Sequence, residues 1–130
     1  WLLPPNHPHL ASNLIRLSWL LVQQGHPREA ESMAREGLSI LESLLPKSHW
    51  HISAARGVLG LSWAAQGRVA EGLPLVRTYF QTSRKQFGRN DWRPQSAARA
   101  LAQLYKRANN PDSAAYYARW LSKASSAPTK

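Results

Sequence analysis

The sequence predicts an all-α fold, an α-solenoid of about three helix-turn-helix repeats built from six helices. Three observations predict it. Turn residues recur at one interval, apolar residues fall at helical spacing on both sides of each turn, and the linkers between helix pairs superimpose at the same interval.

Gly25, Gly67 and Asn109 set the interval, since 67 − 25 and 109 − 67 are both 42. Glycine, and after it asparagine, most readily takes the left-handed backbone that ends a helix. Five positions after each turn residue stands a small residue, Ala30, Gly72 or Ala114, and eight positions before it stands Leu17, Leu59 or Leu101. The segments Asn6-His7-Pro8-His9, Ser48-His49-Trp50-His51 and Asn90-Asp91-Trp92-Arg93 keep the same step, so the linkers belong to the repeat. Self-similarity at a period of this size marks units that bury their apolar faces by stacking on one another.

Each copy reads as an antiparallel helix pair. In the first, Leu14, Leu17 and Leu21 precede Gly25-His26-Pro27, and Met33, Ala34, Leu38 and Leu41 follow, at the three- and four-residue steps of amphipathic helices. The spacing predicts first helices over 8–24, 49–66 and 92–108 and second helices over 27–44, 69–86 and 111–124. Asn6, Ser48 and Asn90 are expected to cap the first helices, and Pro27 and Pro111 suit the opening turn of the second ones, where a missing N–H costs least. Small residues at Ser18, Gly60 and Ala102, with Ala30, Gly72 and Ala114, are expected to let paired helices approach closely. Leu2-Leu3-Pro4-Pro5 aligns with Leu44-Leu45-Pro46-Lys47, so residues 1–7 are expected to be the tail of a preceding repeat. Repeats over 8–48, 49–90 and 91–123 and a small, polar, flexible tail over 124–130 complete the plan.

At 130 residues and 43% hydrophobic content the chain suits one domain rather than two separate cores. Seventeen Lys and Arg against seven Asp and Glu leave a formal charge of +10, which favours anionic partners. The absence of Cys removes disulfides, thiolate metal sites and thiol nucleophiles, and is compatible with a reducing, cytoplasmic setting. No apolar run reaches the about 18 to 20 residues a membrane span needs. Trp1-Leu2-Leu3-Pro4-Pro5 has neither an initiator Met nor the basic and small-residue features of a signal peptide, and reads as the interior of a longer chain.

The repeat slots resemble the tetratricopeptide repeat, and the 42-residue period with a His-Pro or His-Trp linker resembles its kinesin-light-chain-type variant. Segments 44–52, Leu-Leu-Pro-Lys-Ser-His-Trp-His-Ile, and 67–75, Gly-Arg-Val-Ala-Glu-Gly-Leu-Pro-Leu, also resemble repeats found C-terminal to bacterial serine/threonine kinase domains. The resemblance implies a short right-handed superhelix and a non-catalytic protein-interaction module whose concave face is formed by the first helices. It implies a larger bacterial signalling protein with a kinase domain upstream. On that pattern the partner-binding positions are Ser12, Ile15, Arg16, Trp19 and Gln23 in the first repeat, and Ala54, Gly57, Val58 and Leu61 in the second. Arg99, Gln103, Lys106 and Arg107 follow in the third. Peptide-binding members carry an Asn pair on the first helix, but the matching slots hold Ile15-Arg16, Gly57-Val58 and Arg99-Ala100, which leaves shape, apolar contact and charge as the means of binding.

The remaining candidates have plainer readings. His7-x-His9 and His49-x-His51 supply two imidazoles each with no acid or thiol beside them, and the third copy has Asp91 and Arg93 there, so capping is expected and no metal or cofactor. Trp50 and Trp92 are expected to staple the linker to a neighbouring second helix. The acids, Glu29, Glu31, Glu36, Glu42, Glu71, Asp91 and Asp112, form no acid/base pair with a nucleophile, so no enzyme is expected. Arg93, Arg99, Lys106 and Arg107, with Arg84, Lys85 and Arg89 just before, concentrate charge in the third repeat. The expected partner is another protein or an upstream domain of the same chain, acidic or phosphorylated. The alternative is nucleic acid bound electrostatically, although no nucleic-acid-binding motif is present. Self-association through Trp1, Leu2, Leu3 and Leu14 is a further expectation. The register itself is testable: Ala30→Trp or Ala114→Trp should unfold the stack by overpacking, and an unchanged melting temperature in both would show it to be wrong.

Overall fold

The computed structural model describes the backbone of residues 8–126 and the side chains of residues 9–123. Six helices follow in order: α1 (Pro8–Gln23), α2 (Pro27–Leu44), α3 (Trp50–Ala65), α4 (Val69–Phe87), α5 (Trp92–Arg107) and α6 (Pro111–Ser126). Every observed end lies within two residues of its sequence-based expectation, and the expected repeat tail at 1–7 lies outside the described residues. The helical backbone runs through Ser126, so the first residues of the expected flexible tail continue α6.

One turn geometry is repeated three times. Gly25, Gly67 and Asn109 all have positive φ, at 87°, 93° and 61°. At each, two backbone bonds close the end of the first helix. Gly25 N–H donates to Val22 O (3.1 Å) and His26 N–H to Leu21 O (2.8 Å), and the same pair recurs from Gly67 to Ala64, Arg68 to Trp63, Asn109 to Lys106 and Asn110 to Tyr105. This is the Schellman closure, which satisfies carbonyls the helix would otherwise leave open. The residue after each turn then accepts the first bond of the next helix, from Ala30, Gly72 and Ala114 respectively.

Each helix packs on its neighbour in sequence, and α1 also touches α3, and α3 touches α5. Second helices meet through side chains, as where Phe80 of α4 packs edge-on against Tyr117 and Trp120 of α6, whereas the backbones of successive first helices approach one another, so the stack is tighter on the first-helix side, which makes that side the inner, concave one. As the central inner helix, α3 is enclosed from several sides, with residues 52–55 and 57–62 all buried. Its period is therefore hard to see in sequence: a helix apolar all round carries no amphipathic signal. Ser18, Ser62 and Ser83 are fully buried, and each hydroxyl donates to a carbonyl three or four residues back, so none costs an unpaired polar group.

Close approach is tightest between α3 and α4. A Cβ on Gly60 would stand 2.6 Å from Gly72 O, and one on Gly72 would collide with Gly60 O, so the two backbones are in direct contact. Pro74 sits in the second turn of α4 on its exposed side, where the carbonyl deprived of its N–H partner can reach water.

Three expectations need correction. The caps of α3 and α5 are His49 and Asp91, one residue beyond Ser48 and Asn90: His49 Nδ1 accepts from His51 N–H at 3.1 Å, and Asp91 Oδ1 from Arg93 N–H at 2.9 Å. Asn6 lies outside the described residues. Leu17, although in register with buried Leu59 and Leu101, is 48% exposed, because no helix precedes α1 among the described residues to cover it. Trp92 is 65% exposed, whereas Trp50 does staple its linker, meeting Phe87 of α4 edge-on at 4.9 Å.

The two glycine roles predict different costs. Gly72→Ala must push apart two backbones and should lose about 3 kcal/mol in urea denaturation. Gly25→Ala, with open space around its Cβ but a left-handed φ, should lose about 1 kcal/mol, and Gly25→Asn less.

Candidate functional site

Two concavities open along the inner layer, divided by Trp19. The first, about 380 Å³, is bounded by Ser12, Ile15, Arg16, Trp19 and Leu20 of α1 and by Trp50, His51, Ala54 and Val58 of α3. Tyr79, Trp92 and Arg93 close it. The second, about 310 Å³, has Trp19, Val22 and Gln23 on one side, Leu61 and Ala65 on its floor, and Ser96, Arg99, Gln103 and Arg107 of α5 opposite. The first is aromatic and aliphatic with cations at its rim, and the second is evenly divided between apolar and polar lining, with its two cations on the α5 side.

Eleven of the thirteen partner-binding positions expected from sequence line one or other concavity. Gly57 does not: it packs under Tyr79, where a Cβ would stand 2.9 Å from Tyr79 Cβ. Lys106 is exposed beside the second concavity without lining it. Tyr79, His51, Trp92 and Arg93 were not in the expected set. Tyr79 comes from a second helix that sequence assigns to the outer layer, and only the absence of a side chain at Gly57 lets it reach inward.

Arg93 is the hub of the first concavity. Its guanidinium donates to both oxygens of Asp91 at 2.8 Å, lies 3.3 Å from the centre of the Phe87 ring, and is 5.2 Å from Trp50 and 5.5 Å from Trp92. This Arg is thus held in a salt bridge and an aromatic stack, and only part of its charge faces the cavity. His51 stacks on Trp50 at 4.7 Å. Burial of the His51 ring, with a smaller contribution from the charge of His49, lowers its pKa below the ordinary value. Burial pushes the Tyr79 hydroxyl up to about 12, so it stays a neutral donor at the cavity wall.

The charges sort by layer. Helices α1, α3 and α5 contain no Asp or Glu, while Arg16, Arg56, Arg93, Arg99, Lys106 and Arg107 all lie on them. The acids lie on second helices and at one turn, and several are engaged. Glu31 of α2 accepts from Gln66 Nε2 (2.8 Å), Arg35 Nη2 (2.9 Å) and Trp63 Nε1 (3.2 Å), tying α2 to the end of α3. These donors, Gln66 first, hold its carboxyl below the usual carboxylate range. Arg93 does the same for Asp91. Arg56 pairs with Glu42, and Arg107 donates weakly to Ala64 O at 3.5 Å, whereas Arg16, Arg99 and Lys106 have no ion-pair partner among the described residues. The expected basic cluster is therefore divided: Arg84 lies over Phe80 and Arg89 over Trp120, contacts that belong to the packing of α4 and α6.

His49 and His51 have ring centroids 6.4 Å apart, with His49 Nδ1 engaged as the α3 cap. Among the described residues no three His, Asp or Glu side chains gather as a metal set, and no helix is long and apolar enough to cross a membrane.

Residues 14–36 and 53–78 match the tetratricopeptide repeat family model, one stretch in each of the first two helix pairs. The fold is similar to that of a putative kinesin light chain from Podosopora anserina with nearly identical tetratricopeptide-like repeats. That match has a TM-score of 0.77 at 18% identity and covers 95% of this chain and 59% of that one. It is also similar to the tetratricopeptide domain of Arabidopsis FLU, with a TM-score of 0.69 at 15% identity over 95% of this chain and 100% of that one. A comparison with curated proteins finds no match. The chain thus has the fold of a tetratricopeptide-like helical solenoid, with the repeat itself matched in its first two helix pairs. Its fold is similar to that of kinesin-light-chain-like repeats, in keeping with the resemblance of its period and linkers.

The titrating groups predict acid sensitivity of the fold. Unfolded His51 takes up a proton near its ordinary value of 6.5 but the folded residue only at lower pH, so stability should fall as pH drops below about 6.5. Glu31 and Asp91, both depressed, add a further loss below their unfolded values near 4. Thermal melts across pH 4–8 should show both limbs, and His51→Gln should flatten the upper one while leaving the lower in place.

Proposed function

We propose that this chain is a non-catalytic binding module that holds an acidic segment of another protein, or of another domain of the same chain, along its concave face. One observation carries this reading: the first helices of three repeats present apolar side chains to one surface, α1 and α5 add cations to it, and none of the three contributes a carboxylate. A like-signed groove of this kind raises the local concentration of anionic ligands and rejects cationic ones. Apolar contact in the Trp19–Trp50–Trp92 concavity supplies adhesion that charge alone lacks, and the unpaired guanidinium of Arg99 and the half-engaged one of Arg107 supply direction. A phosphorylated segment satisfies the same groups. The kinase-associated bacterial setting implied by sequence resemblance fits a surface of this sign, and the open reading frame surrounding the chain tests it directly.

The experiment is a tryptophan-fluorescence titration with an acidic peptide, a phosphorylated version of it, and a single-stranded oligonucleotide of equal charge. Binding of either peptide should persist at moderate salt, and Arg99→Gln with Arg107→Gln should weaken it about tenfold or more. Preference for the oligonucleotide, with affinity falling steeply as salt rises, would transfer the reading to nucleic acid. No binding of any of the three would remove both.

A further inference from the structure

The two concavities stand in register with one another. The floor of the first is Ala54 and Val58 and that of the second is Leu61 and Ala65, all on α3, so each floor residue lies seven positions from its counterpart. Seven helical positions span about 10.5 Å. Trp19 stands between the two concavities, and Leu20 and Trp92, 48% and 65% exposed, leave apolar surface uncovered at the mouth of the first.

That spacing selects the conformation of an occupant. In a helix, residues seven apart lie on one face about 10.5 Å from each other, so two apolar side chains enter the two concavities together, one on either side of Trp19. In an extended segment the same distance is about three residues, and residues three apart point to opposite faces. The chemistry of the floor points the same way. Between Ala54 and Ala65, α3 gives the concavities no side-chain oxygen or nitrogen. An extended backbone laid along it would strip water from donors and acceptors that find no partner below, whereas a helix has already bonded its own.

Charge then selects the kind of helix. On α5, Arg99 and Arg107 edge the second concavity with Gln103 between them. Arg99 has no ion-pair partner among the described residues, and Arg107 makes only a weak bond, 3.5 Å to Ala64 O. Eight positions on α5 are about 12 Å, within reach of two carboxylates one heptad apart on a helix lying beside it.

We propose that the concave face takes an acidic amphipathic α-helix of another protein, with large apolar side chains seven residues apart in the two concavities and carboxylates seven apart on the flank that meets α5. This helix is the acidic segment proposed above, so its assignment rests on that reading and adds the conformation and residue spacing of the partner.

The test uses two labelled peptides of about 18 residues, long enough at about 27 Å to cover both concavities. The first carries Leu at two positions seven apart and Glu at two positions seven apart on the adjoining flank, in an Ala- and Gln-rich background. The second differs only by a central Pro, which breaks a helix but spares net charge and an extended backbone. In fluorescence anisotropy at moderate salt the first should bind, and the second should be weaker by about tenfold or more. Far-UV ellipticity of the bound mixture should show more helix than the sum of its parts, because the free peptide is only partly helical. Leu20→Ala with Trp92→Ala, at exposed positions, should leave the melting temperature within about 2 °C and weaken the first peptide about fivefold or more. Equal binding of the two peptides, binding without a gain in ellipticity, or full affinity in the double variant would overturn the helical occupant and leave the acidic reading standing. Binding of neither peptide would overturn it as well, and if the acidic peptides of the earlier titration also fail, that reading falls with it.

Discussion

A left-handed residue at the end of each first helix governs the rest of this structure. With φ positive at Gly25, Gly67 and Asn109, the chain reverses within three residues and the two helices of a pair must lie side by side. No side-chain contact chooses that reversal, because open space surrounds the Cβ positions of Gly25 and Gly67. Backbone sterics select the residue type, and the paired bonds back to the helix end make the turn a closed unit. Asn109 shows that the constraint is conformational, since asparagine keeps the geometry where glycine has been replaced.

Given that reversal, spacing between paired helices depends on what is missing from the side chains. At Gly60 and Gly72 two backbones touch, which draws α3 and α4 together and lets Tyr79 pass inward over Gly57 to the concave wall. Close packing at one layer thus contributes a side chain to the binding surface of the other. The same economy applies to polar groups: buried serine hydroxyls are satisfied within their own helix, and the Glu31 carboxylate gathers three donors that bind α2 to the end of α3. These local solutions leave the inner face free of structural carboxylates.

Repeat architecture separates the evolutionary freedom of each layer. Cations on α1 and α5 stand at unrelated slots of their repeats and converge only after stacking, so an acidic ligand can be read by residues more than 80 positions apart, Arg16 and Arg99 among them. Arg93 illustrates the opposite use of a cation. Held by Asp91 and stacked on Phe87, it positions Trp50 and Trp92 at the rim, and its role is closer to that of a core residue than of a free charge.

The period, the helix pairing, the six helix ranges to within two residues and most of the concave positions are legible in the residues alone. Those features depend on local physics that repeats every 42 residues: left-handed turn residues, proline at helix openings, and apolar spacing. Other features come from neighbours that stacking supplies. Leu17, Leu59 and Leu101 are the same residue in the same slot, yet one meets solvent and two are core, because burial is conferred by the preceding helix and not by the residue. The caps are His49 and Asp91 in place of Ser48 and Asn90 because the residue directly before each helix is the one whose side chain reaches the N–H two positions on. Which arginines are spent on packing and which face the groove could not be read from their spacing. It follows from the rings and carboxylates that stacking brings beside them, Phe87 and Asp91 for Arg93 and no acid at all for Arg99.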